Sequence, residues 1–114
     1  MTIKQLHKLT RHWQNKLHLR DWQIHLNIGT QPSKEMKLWM AEGEDIPAYR
    51  YSGLTYVLAD RQMAFIWIPL ESLKEDGDDP KEVLLHEMLH ILHAAYPDNE
   101  ELKVRILSDV ILST

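Results

Sequence analysis

The chain contains no cysteine, which excludes disulfide scaffolds, cysteine-type zinc fingers, iron–sulfur ligation and thiol nucleophiles. Any metal it holds must sit on His, Asp or Glu. It has no basic excess either: 13 Lys and Arg against 17 Asp and Glu give a formal charge of -4, with the cations dispersed. The positive footprint that non-specific phosphate binding needs is missing, so nucleic acid is not an expected partner. No run approaches the ~18 apolar residues of a membrane span, and the opening Met1-Thr2-Ile3-Lys4-Gln5-Leu6-His7-Lys8 has no apolar signal region. These readings predict a cytoplasmic protein without a membrane partner. No internal repeat or low-complexity tract is present.

What is there fits a single domain over residues 1–114, because a soluble chain of this length, 44% hydrophobic, buries roughly two-thirds of its unfolded surface. Ile3, Leu6, Leu9, Trp13 and Leu17 recur at spacings of three and four and predict an amphipathic helix over about 2–18. Trp22, Ile24, Leu26 and Ile28 alternate with Gln23, His25 and Asn27, the pattern of a strand with one buried face, ended by Gly29. Ser33 to Ala41, before Gly43, reads as a short capped helix in a polar stretch. Tyr51 to Leu58 and Met63 to Ile68 read as strands joined by a turn at Ala59-Asp60-Arg61-Gln62. Both faces of the second are apolar, as in a central strand covered on both sides. Glu71 to Asp79 reads as an acidic linker without core residues.

Asp79-Pro80-Lys81-Glu82 starts a helix over about 80–95, with Asp79 as N-cap, Pro80 in the first position and Glu82 at the capping-box position. Asp98-Asn99-Glu100-Glu101 offers a second capping box and a closing helix, so the chain is expected to end in a helical hairpin. The expected fold is α+β: an N-terminal helix, a small, mostly antiparallel sheet of about three strands, and two C-terminal helices.

The first of those two helices carries His86-Glu87-Met88-Leu89-His90, an HExxH motif. Residues four apart share a helix face about 6 Å apart along the axis, so both imidazoles can converge on one tetrahedral zinc ion. Glu87 can stand beside the open coordination position and take a proton from water activated by the metal. Seven histidines make chance spacing a competing explanation, but Leu84, Leu85, Met88, Leu89, Ile91 and Leu92 make the helix apolar nearly all round, and polar groups in such a helix need partners. A tetrahedral catalytic zinc usually takes three protein ligands and one water. Glu101, eleven residues past His90, ranks first and Glu100 second, each with helix-start stabilisation as its alternative role. His93 lies about 10 Å from His86 along a straight helix, too far to share the ion. Asp109 is better placed to orient His86 through a hydrogen bond than to reach the metal. His7, His12, His18 and His25 read as solvated, and Trp13, Trp22 and Trp67 as core. Tyr49, Arg50, Tyr51 and Tyr96 are candidate oxyanion donors without assigned geometry.

The order of elements, with Leu19-Arg20-Asp21-Trp22-Gln23-Ile24 opening the first strand and Leu85-His86-Glu87-Met88-Leu89-His90-Ile91-Leu92 on the later helix, resembles the zincin metallopeptidases. Most similar are the small zincin-like proteins often encoded by phages and prophages. The resemblance implies a sheet against the active-site helix, a peptide substrate added as an extended strand at the sheet edge, His86 and His90 as zinc ligands, Glu87 as general base, and Glu101 as a gluzincin-type third ligand. Four residues on, where gluzincins often carry Asp or Asn, this chain has Arg105. The metzincin extension is absent, His93 and Tyr96 standing at its Gly and His positions. SprT-like proteases share the first two ligands, but this chain has neither a basic DNA-binding surface nor a zinc-ribbon tail. The expected activity is therefore a one-zinc metallopeptidase acting on a peptide or protein substrate. The alternative is a catalytically silent zinc-binding interaction module.

Overall fold

A computed structural model describes residues 1–113, apart from the side chains of Tyr49, Asp109, Ile111, Leu112 and Ser113. Its helices are α1 (Ile3–Lys16), α2 (Lys34–Met40), α3 (Leu70–Asp76), α4 (Pro80–Ala95) and α5 (Glu100–Ser113), and its strands β1 (Gln23–Ile28), β2 (Leu54–Leu58) and β3 (Met63–Ile68). The α+β expectation holds at this level.

A reciprocal cap starts α1: Thr2 Oγ1 accepts from the Gln5 amide at 3.1 Å while Gln5 Oε1 accepts from the Thr2 amide at 2.7 Å. Leu6, Trp13 and Leu17 then bury one stripe of it. The sheet order is β1-β3-β2, with β3 in the centre. β2 and β3 form the expected antiparallel hairpin, turning through Ala59–Arg61 with Gln62 left-handed. β1, however, runs parallel to β3, from Gln23 opposite Met63 to Ile28 opposite Ile68. The sheet is thus mixed rather than mostly antiparallel. A parallel neighbour needs a long connection, and the segment carrying α2 together with β2 supplies it.

Both faces of β3 are covered. Ala64, Ile66 and Ile68 pack with α1, α3, α4 and α5 in the main core, while Phe65 and Trp67 face Met36 and Ile46 in a smaller cluster. Each of the isoleucine and phenylalanine side chains among these, fully buried, contributes roughly 1.5–3 kcal/mol. The segment expected to be an acidic linker is largely α3, because Leu70 and Leu73, one turn apart, are buried and Gly77 closes the helix at φ +75°. The cap of α5 is displaced by one residue: Asn99 Oδ1, not Asp98, accepts from the Leu102 amide at 3.1 Å. Among the described residues α5 packs mainly on α1, so α4 and α5 do not form a closely packed hairpin. No described helix is long and apolar enough to cross a membrane.

Candidate metal centre

α4 is the platform. Asp79 Oδ1 accepts from the Lys81 amide at 3.0 Å and starts it, with Pro80 in the first turn, where a missing N–H costs nothing. Leu84, Met88, Ile91 and Leu92 anchor it in the core. His86 and His90 are left exposed, one turn apart. Their Nε2 atoms lie 3.3 Å from each other and the rings stand at 89°. Two donors at Zn–N distances of 2.0–2.1 Å in a tetrahedron are about 3.3–3.4 Å apart, so the pair has the span of one tetrahedral edge. Without a metal, one N–H donates to the other ring's lone pair; with one, both lone pairs turn to the ion.

Glu87, between them in sequence, is only 4% exposed. A buried carboxylate needs donors, and β2 supplies one: Thr55 Oγ1 donates to Glu87 Oε1 at 3.0 Å. The close approach depends on Gly53. A Cβ there would stand 3.2 Å from Glu87 Cγ and Oε2 and 3.1 Å from Val83 Cγ1. One ligand atom from each of His86, Glu87 and His90 lies within 4.8 Å of the other two. The three residues singled out by the motif are therefore brought together, and their donor set suits a divalent transition metal.

These groups line an open cleft of about 690 Å³ between α4 and β2. Its walls include Ser52, Gly53, Thr55 and Val57 from one side and Glu82, Val83 and the three site residues from the other. Gly53, Thr55 and Val57 share a face because strand side chains alternate, and it is the face turned to α4. None of Gly53, Thr55 or Glu82 was read as a site residue from the sequence. The available signal was that same alternation, in a strand starting at Leu54 rather than at Tyr51. Glu82 was expected to reach back to its cap; among the described residues it makes no such bond.

Glu101 is not part of the group. Its carboxylate, 87% exposed, is 3.7 Å from Arg105 Nη2. At 100° per residue Glu101 lies about 140° round α5 from Ile106, so burying Ile106 and Val110 turns it outward. Glu100 bonds Lys103 Nζ at 2.7 Å, and that ammonium holds the Glu100 carboxyl below its ordinary value. The buried Lys103 also lies 3.0 Å from His93 Nδ1, which accepts because an ammonium only donates. Tyr96 donates to the His18 carbonyl at 2.8 Å, and neither it nor Arg50 nor Tyr51 lines the cleft. Tyr49 and Asp109 lie outside the described residues. His7, His12, His18 and His25 are exposed, His25 stacking on Phe65.

Comparison of the chain with protein-family models, with curated proteins and with solved structures finds no match.

Proposed function

We propose that this chain is a zinc-dependent peptidase of zincin-like arrangement, in which His86 and His90 are the two protein ligands brought together for one ion, with no third from Glu101 or Glu100, and Glu87 is the general base. The single observation that carries this reading is the tetrahedral-edge spacing of 3.3 Å between the two Nε2 atoms beside the carboxylate that Thr55 orients. Zinc bound there would supply Lewis acidity, polarising a carbonyl and lowering the pKa of water to near neutrality.

The chain's own groups do the rest. Glu87, out of bulk water and fixed on one oxygen by the Thr55 hydroxyl, takes the proton of the attacking water and delivers it to the departing amine nitrogen. β2 is an edge strand along the cleft, so its outward backbone N–H and C=O groups are free to pair with an extended peptide. That pairing sets the scissile carbonyl over the two histidines. No step needs a further protein nucleophile.

A second reading has one observation in its favour: the three-residue group in which a metal could sit counts Glu87 itself as a member. If that carboxylate is a ligand, no base remains and the site is a silent zinc-binding module. Glu87→Gln separates the two. As a base variant it keeps about one zinc per chain and loses peptide cleavage by a factor on the order of 10²–10⁴. As a ligand variant it loses the metal. An unchanged cleavage rate in zinc-loaded Glu87→Gln would overturn the assignment of the base.

A further inference from the structure

We propose that Glu82 makes this cleft selective for peptides carrying lysine or arginine about two residues from the cleaved bond, an inference that rests on the peptidase reading above. Glu82 stands one turn before His86 on α4 and lines the same cleft. Its carboxylate is exposed and, among the described residues, makes no hydrogen bond or ion pair. Asp79 caps the helix alone, so Glu82 is not occupied there.

Charge and spacing define what it would bind. Among the described residues the cleft is lined by two carboxylates, Glu82 and Glu87, and by no Lys or Arg. Glu87 is buried and bonded to Thr55, which leaves Glu82 as the exposed carboxylate of the cleft wall. Four residues of helix place it about 6 Å along the axis from His86. An extended peptide advances about 3.3 Å per residue, so a side chain about two positions from the bond set over the histidines comes level with Glu82. A lysine or arginine there meets a lone carboxylate at the cleft wall, while an acidic side chain is repelled. A first-turn glutamate also stabilises its helix through the dipole. That effect is blind to the charge of the peptide, so a comparison of peptides removes it.

The test uses the zinc-supplemented full chain and quenched fluorescent peptides of one apolar sequence, differing only in a single Lys, Gln or Glu scanned across the positions flanking the bond. The wild type is expected to cleave its best Lys peptide with a kcat/KM about fivefold above the matching Gln peptide, the equivalent of a ~1 kcal/mol ion pair. Glu82→Gln should bring that ratio to about one, and Glu82→Lys should invert it in favour of Glu. Because each ratio is taken on one protein sample, partial unfolding of a variant does not distort it. Cleavage without any preference for Lys overturns the inference and leaves the peptidase reading standing. If nothing is cleaved, the peptidase reading falls, and fluorescence anisotropy of the same labelled peptides decides the remainder. Tighter binding of the Lys peptide that disappears in Glu82→Gln supports cation recognition at this cleft; equal binding, or none, overturns it.

Discussion

In the proposed mechanism Thr55 links the strand to the chemistry. Its hydroxyl is the donor on Glu87 Oε1, so removing it leaves a buried carboxylate free to rotate away from the position where it meets water. Thr55→Val conserves shape and deletes the donor. It should lower kcat about tenfold with KM and zinc content little changed, and Thr55→Ser should restore most of the loss; a merely structural threonine would give no such split. His86, Glu87 and His90 were legible in the sequence because helical periodicity converts their spacing directly into geometry. Thr55 and Gly53 were not, since their partners stand thirty or more residues away, and only the packing of β2 on α4 joins them. The expectation for Glu101 as third ligand relied on a hairpin that would bring the start of α5 back over α4. The structure instead turns that carboxylate outward to Arg105.

At the scale of elements, local signals served well and pairing signals poorly. The two-sided apolar run of β3, the Asp79-Pro80 start of α4 and the Ser33 cap of α2 all lie where the chain itself indicates, Ser33 Oγ accepting from the Met36 amide at 3.1 Å. α3 was hidden by its acidic composition, although Leu70, Leu73 and Gly77 carry a buried pair and a C-terminal stop. The parallel pairing of β1 with β3 had no local signature, because it depends on which strand edge the chain returns to. α2 closes on Ala41 at φ 58° and ψ 37°, a left-handed conformation that glycine adopts freely and alanine does not. Ala41→Gly should therefore stabilise the protein by about 1 kcal/mol and raise Tm by about 4 °C in a thermal melt. An unchanged or lower Tm would mean that this helix end does not take that conformation.

For the whole molecule, the decisive feature is that the histidine pair lies outside the core, although Val57 and Val83 join the cleft to it. The main cluster runs through α1, β3, α4 and α5 and the smaller one lies behind the sheet, whereas His86 and His90 are exposed and belong to neither. The fold is built by apolar burial, so the proposed metal should not be required to form it, unlike a small zinc module whose apo state is unfolded. Variants at the histidines should keep the native circular dichroism spectrum while losing the ion, which makes metal content a clean reading of the site. The most direct test is elemental analysis of untagged, zinc-equilibrated protein, wild type beside His86→Ala and His90→Ala. This account predicts about one zinc per chain in the wild type and essentially none in either folded variant; a wild type that holds no zinc, or variants that hold as much as it does, would contradict it.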